Sequence, residues 1–340
     1  MDRLDAVPGI VGMAGRDFAI EAVAEVLGVK QKVLGTLAQA MGEQAILATN
    51  TSSLSVDAIA EALPHPERVI GMHFFNPVPK MPLVEIIRGT HTSEDVVVRT
   101  TALALRMGKT PVICRDVPGF LVNRLLGPYL DEAVRLFQGG VDPARLDRLM
   151  LDFGMPMGPL ELLDEVGIDI ASHAAASLHE GYGLRMTPAD GLEKFLAGDR
   201  LGKKSGLGFY NHRAARKGKK AELAPDLNMF QSPSSLSGLK DKDLVDRMVL
   251  AMFNEACRAL EERVVATVEE LNLATVFGMG FAPFHGGLLR YGEARGLTEC
   301  ANRLGTLAQE PDIQSRPGGP ERFTPADILV KAAASGGSLA

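Results

Sequence analysis

Cysteine is scarce in this sequence. Cys114, Cys257 and Cys300 lie far apart, with no Cys-x-x-Cys pair among them. That spacing excludes a disulfide framework and a structural zinc site, and it favours free thiols in a reducing compartment. No apolar run approaches the roughly 20 residues that a membrane-spanning helix requires. The opening MDRLDAVPGIVG has early acids and no apolar stretch of signal-peptide type, so a cytoplasmic location is expected. An excess of basic charge is also absent: the net charge is −6, which excludes a nucleic-acid footprint. The one basic cluster, RAARKGKK at 213–220, reads as a solvated loop. Finally, no G-x-G-x-x-G stands between a strand and a helix near the N-terminus, and no acid follows at the spacing that binds a ribose. The residues alone therefore point to no cofactor.

What is there is enough for about two domains, with 46% hydrophobic and 23% charged residues among 340. Short apolar runs read as strands: DFAIEAV (17–23), AILATNTS (45–52), ERVIGMHFF (67–75), PLVEIIRG (82–89) and TPVICRD (110–116). Between the first two, VKQKVLGTLAQAM places Val29, Val33, Leu34, Leu37 and Met41 on one helical face. Ser93 caps a further helix, with Glu94 and Asp95 in its first turn and Gly108 at its end. Strands alternating with helices predict an α/β layer with a mainly parallel sheet.

From Pro118 onward the pattern is helical, and it repeats. LVNRLLGPYLDEAVR (121–135) matches LVDRMVLAMFNEACR (244–258) at an offset of 123 residues. FGMPMGP (153–159) then matches FGMGFAP (277–283) at an offset of 124. Two matched blocks in the same order define a duplicated helical unit. The stretch between the copies, rich in Lys, Ser, Pro and Gly, reads as a linker.

Four motifs carry candidate chemistry. The turn TNTSSLS (49–55) follows the second strand at the end where open parallel sheets collect ligands, but taken alone Ser52 or Ser53 reads first as a helix N-cap ahead of Val56–Leu63. His73 and Glu85 lie on strands joined by NPVPKMP, which can return the chain as a neighbouring strand. A carboxylate on one imidazole nitrogen leaves the other as a general base, while a structural ion pair stands as the alternative. Asn123 opens an amphipathic helix whose buried face is Val122, Leu125, Leu126 and Tyr129, and its amide either binds a substrate oxygen or faces solvent. The second copy has Asp246 at that place. GKKSGLGFY (202–210) fails the phosphate-loop template, because three residues rather than four separate Gly198 and Gly202 and an extra lysine precedes Ser205.

Taken together, IEAVAEVLGVKQ, NTSSL, IGMHFFNPVPKMPLVEII, GKTPVICRDVPGFLVNRLL, GMPMGPLELLDEVGID and GKKSGLGFY resemble the 3-hydroxyacyl-CoA dehydrogenase family. The similarity is greatest to the dehydrogenase part of the bacterial multifunctional fatty-acid oxidation α-subunit, and it runs from about Asp17 to Gly296. The resemblance implies NAD-dependent oxidation of (S)-3-hydroxyacyl-CoA in β-oxidation. His73 would be the general base, Glu85 its orienting partner, and Ser52 and Asn123 the ligands of substrate oxygens. Glu25, Lys30, Ser52, Asn76 and Lys204 match positions that contact the cofactor or lie near it. A thiolase β-subunit or self-association is the implied partnership, with no metal.

The fold class that follows is α/β plus all-α. A Rossmann-type NAD-binding domain lacking its N-terminal part (1–116) precedes a first helical unit (117–212), a linker (213–242) and a second helical unit (243–335). Family members begin with a strand, a glycine-rich turn and a strand ending in an acid, and this sequence starts after those elements. Two expectations stay open: a piece of a longer dehydrogenase, or a non-catalytic acyl-CoA-binding remnant. Either way the 340 residues alone are expected to bind NAD weakly and to expose the edge of the strand at 17–23 or 45–50.

Overall fold

The computed structural model describes residue 6 and residues 9–213, 221–232 and 235–339. Chain contacts divide them into two units, one of residues 1–121 with 263–266 and one of residues 122–262 with 267–340.

The first unit is built on a five-stranded sheet in sequential order, β1 (Phe18–Glu21), β2 (Ile46–Thr49), β3 (Val69–Phe74), β4 (Leu83–Arg88) and β5 (Thr110–Arg115). Neighbours are parallel except β3 and β4, which the prolyl connection folds back antiparallel. Alternation sorts the side chains. Ile46, Ala48, Ile70, Met72, Val84 and Ile86 form one core with Val96, Val97 and Ala104 of α3 (Glu94–Arg106). Ser93 caps α3 by accepting from the Val96 N–H, and Gly108 beyond it has a φ of 74°. On the opposite face, α2 (Val56–Ala60) lies so close that a Cβ on Gly71 would meet Val56 at 2.9 Å and Ile87 at 2.7 Å. A side chain there would push the layer apart.

One expectation needs correction. In α1 (Leu27–Ala40) the buried residues are Lys30, Leu34 and Leu37, while Val29 is exposed. The apolar period fails at this turn because a buried ion pair draws Lys30 inward. Among the described residues β1 is an edge strand, and Ile20, Val23, Val26 and Val29 beside it are exposed.

The second unit is helical and carries the duplication. Its first copy runs α4 (Val122–Gln138), α5 (Pro143–Phe153), α6 (Pro159–Val166), α7 (Ile168–Tyr182) and α8 (Gly191–Ala197). Its second runs α9 (Asp241–Glu261), α10 (Val268–Met279), α11 (Leu288–Arg295), α12 (Leu297–Ala308), the short α13 (Pro311–Gln314) and α14 (Gly319–Phe323), and α15 (Asp327–Ser335). The matched helices α4 and α9 pack against each other.

The repeat recurs in hydrogen bonds. Asp147 on α5 accepts from the N–H groups of Leu160 and Glu161 at 2.8 and 3.1 Å; Asn272 on α10 accepts from Leu289 and Arg290 at 2.9 and 3.3 Å. In both copies a polar side chain caps the next helix, satisfying its orphan donors. Gly167 and Gly296 then take the same rare conformation, φ 101° and ψ 124° against φ 100° and ψ 117°. A third matched block, TPAD at 187–190 and 324–327, completes the plan. The Ala189 N–H donates to Asp131 and the Ala326 N–H to Asn254.

Across the copies the charges are exchanged. Arg322 of the second copy reaches Glu132 of the first at 2.8 Å, and Arg185 of the first reaches Glu255 of the second at 3.1 Å. This is the pairing an internal two-fold relation produces.

The described part of the intervening stretch is packed onto the first copy. β6 (Tyr210–Asn211) pairs with β7 (Glu222–Leu223), Phe230 stacks on Phe195 at 4.3 Å, and Gln231 donates to the Phe137 carbonyl. All of the basic run beyond Arg213 lies outside the described residues.

Candidate active site

The hairpin register fixes the central pair. Because Met72 faces Ile86 and Phe74 faces Val84, His73 stands directly opposite Glu85. Directly opposed side chains meet on the same face, here the one turned away from α3. His73 Nδ1 lies 2.6 Å from Glu85 Oε2. Glu85 is fully buried, His73 nearly so, and the other Glu85 oxygen accepts from the Leu121 N–H at 3.1 Å. An anionic carboxylate at Nδ1 holds that nitrogen as the donor and leaves Nε2 as the basic site. Phe75 and Phe120 flank the imidazole, with ring centroids at 4.6 and 5.7 Å. Phe120 has a φ of 50°, a left-handed conformation that a bulky side chain rarely adopts. That backbone places its ring beside His73, and strain of this kind gathers at functional positions.

A second group lies where β1 and β2 end. Glu25 Oε1 accepts from the Thr51 hydroxyl at 2.6 Å and from the N–H groups of Ser52 and Ser53 at 2.9 and 3.1 Å. Its other oxygen is 3.1 Å from Lys30 Nζ. Burial alone would raise its pKa, but Thr51, the Ser52 N–H and Lys30 together hold it down at about 2. Behind it Glu21 accepts from Lys30 at 3.0 Å, the Thr49 hydroxyl at 2.6 Å and the Val23 N–H at 2.6 Å. Lys30 is thus fully buried between two carboxylates. Asn50 ties the ends of β2 and β3 together by accepting from the Phe74 N–H. Ser52 and Asn76 are exposed at this same end of the sheet.

Glu21 does not stand out in the sequence, and Thr49 and Asn50 enter there only as part of the turn TNTSSLS. The available signal was a polar residue closing successive apolar strands, with Glu21 paired to Thr49 in the register.

These residues fit one end of a dinucleotide. A carboxylate held ionised to pH about 2 accepts from a hydroxyl or an amide and repels a phosphate. α1 begins after Val26, without a glycine-rich turn or a side-chain cap.

Asn123 and Lys204 belong to the second unit. Asn123 is half-buried in the first turn of α4, beside the buried Val122, Arg124, Leu125 and Tyr129. Leu126 is only partly buried, whereas the charged Arg124 and Glu132 on the same helix are buried. Lys204 pairs with Asp169 at the start of α7. In the second copy Asp246 replaces Asn123 and is closed off by Arg295 and Arg303, at 2.5 and 3.0 Å.

An α/β domain with an imidazole–carboxylate pair beside the strand ends, followed by a helical domain, is the frame of a nicotinamide-dependent dehydrogenase. The NAD-binding domain of 3-hydroxyacyl-CoA dehydrogenase matches residues 1–117, and the C-terminal domain of the same family matches residues 119–212. The chain is 30% identical to 3-hydroxybutyryl-CoA dehydrogenase from Escherichia coli K12, with a TM-score of 0.82 over 97% of this chain and 84% of that one. It is 38% identical to FadB2 of M. tuberculosis, with a TM-score of 0.58 over 60% and 73%. The fatty acid oxidation complex subunit alpha of Acinetobacter baumannii (strain SDF) is 43% identical over 289 residues, covering 83% of this chain. The chain spans about 40% of the length of such curated relatives. It belongs to the 3-hydroxyacyl-CoA dehydrogenase family, whose cofactor is NAD.

Proposed function

We propose that the protein oxidises (S)-3-hydroxyacyl-CoA to 3-oxoacyl-CoA, as the dehydrogenase part of a fatty-acid oxidation α-subunit. The observation that carries this reading is the 2.6 Å contact between buried Glu85 and His73 Nδ1. With that nitrogen occupied, Nε2 accepts the proton of the substrate 3-hydroxyl. The Glu85 charge stabilises the imidazolium that forms. NAD would supply the hydride acceptor for C3. Glu25, supported from behind by Lys30, would hold the nicotinamide ribose, with Ser52 and Asn76 at the same end of the sheet. Ser52 and Asn123 each have the chemistry to bind a substrate oxygen, and Lys204 matches a family position near the cofactor. Phe75 and Phe120 keep water from the imidazole.

Partnership with a thiolase β-subunit, which would consume the 3-oxoacyl-CoA, belongs to the same proposal. Among the described residues no helix is long and apolar enough to cross a membrane. The test is NADH oxidation with acetoacetyl-CoA as substrate. Turnover supports the reading; acyl-CoA binding without any hydride transfer would support a non-catalytic binding module instead.

A further inference from the structure

We propose that the second helical copy positions the substrate-binding amide of the first, and that Arg124 is the residue through which it acts. This rests on the proposed role of Asn123. Arg124 follows Asn123 in the first turn of α4 and is fully buried. Its Nε donates to Glu255 at 2.7 Å and its Nη1 to Glu262 at 2.7 Å, both on the second copy. Its guanidinium lies 4.3 Å from the centre of the Tyr182 ring, and Arg185 lies over the same ring at 4.9 Å. Burial would raise the Glu255 pKa, but Arg124, Arg185 and Arg258 outweigh it and keep the group well below its ordinary value. A planar guanidinium gripped by two carboxylates and stacked on an aromatic ring cannot rotate without breaking all three contacts. The helical turn on which it sits is therefore fixed in rotation and in height, and so is the amide beside it.

The duplication supplies the contrast. The counterpart of Arg124 is Arg247, equally buried at the same place on α9. Arg247 pairs with Asp312 at 2.6 Å and with Glu310, both within its own copy. The residue beside it, Asp246, is sealed by two arginines. The second copy thus secures its own helix internally and sends two carboxylates across to the turn carrying Asn123. It has become a support with no amide site of its own.

Arg124→Met and Arg247→Met are accordingly matched probes: the same substitution in the same burial at related positions. Both are expected to lower Tm. Arg124→Met should raise KM for acetoacetyl-CoA by about tenfold or more, as expected from slight misplacement of a binding group, while KM for NADH stays put. Arg247→Met should leave both KM values unchanged. Glu262→Gln, at a partly exposed carboxylate, tests the same point with less risk to folding and should move the acyl-CoA KM in the same direction. Arg124→Lys should restore only part of it, because an ammonium lacks the planar fork. Equal kinetic effects of the two Met variants, or a joint rise of both KM values, would overturn the proposal. If Asn123→Ala leaves the acyl-CoA KM unchanged, the role of Asn123 itself is lost.

Discussion

Asn123 and Asp246 occupy the same point on two like helices, and their surroundings differ. The first is half-buried and uncharged, next to an arginine held from the other copy. The second is 2% exposed and neutralised by Arg295 and Arg303. Around them the two copies keep the same helix caps, the same glycine hinge and exchanged arginine–glutamate pairs. The two copies share the architecture, which depends on backbone satisfaction and burial, and differ at this polar position. A shared fold therefore carries no guarantee of a shared site.

The exchanged pairs are the place where this symmetry is most exposed to test. Arg322 is almost fully buried and serves Asp131, Glu132 and the carbonyls of Arg185 and Thr187. Arg322→Met should cost about 3 kcal/mol, the lower end of the scale for breaking a buried ion pair, because Asp131 keeps Arg135 and Glu132 keeps Arg316. Arg185 is 22% exposed, and Glu255 keeps Arg124 and Arg258 without it, so Arg185→Met should cost about 1 kcal/mol. Denaturant unfolding of both variants checks this; equal losses would mean that burial does not distinguish the two pairs.

The caps give a smaller contrast. A Cβ on Gly158 would run into the Asp147 side chain, and one on Gly287 into Asn272, reaching its backbone as well. Gly287 also has a φ of 113°, where Gly158 has an ordinary −68°. Gly287→Ala should destabilise by about 2–3 kcal/mol and Gly158→Ala by about 1–2 kcal/mol, because only the first adds backbone strain to the clash. Thermal unfolding of the pair gives the order, and the reverse order would break the comparison.

The smallest effect separates the caps by pH. Burial pushes the Asp147 carboxyl up to about 6, against the lowering effect of the Tyr210 hydroxyl and the Leu160 and Glu161 N–H groups. Between roughly pH 4 and 6 the native state then keeps a proton that the unfolded chain has lost, so this group's contribution to stability falls as pH rises through that window. Asn272 does not titrate. Asp147→Asn should flatten the slope by about 1–2 kcal/mol across the window. A slope identical to that of the parent protein would show that Asp147 titrates normally.

The strands, the prolyl return that pairs His73 with Glu85, and the duplication could all be read from the chain. They rest on period-two alternation and on near-constant offsets, which are local or regular patterns. The TPAD block escaped because residues inserted after Phe281 changed its offset to 137. Val29 was placed on the buried face because periodicity counts apolar residues and does not see that Glu21 draws Lys30 inward. The exchanged pairs were beyond reach for a related reason: Arg322 finds Glu132 190 residues away, and only the fold selects one carboxylate among many. The roles of the site residues came from family resemblance, since spacing fixes a contact and leaves its chemistry open.

The central claim is that His73, oriented by Glu85, moves the hydroxyl proton. The most direct measurement is turnover of His73→Gln with acetoacetyl-CoA and NADH in a cofactor-competent form of the protein, alongside Glu85→Gln and the parent in the same form. His73→Gln should lose at least about 10²-fold in kcat with little change in Tm, and Glu85→Gln should lose less and shift the pH profile. Near-parental turnover by His73→Gln would remove the imidazole from the chemistry and contradict the mechanism.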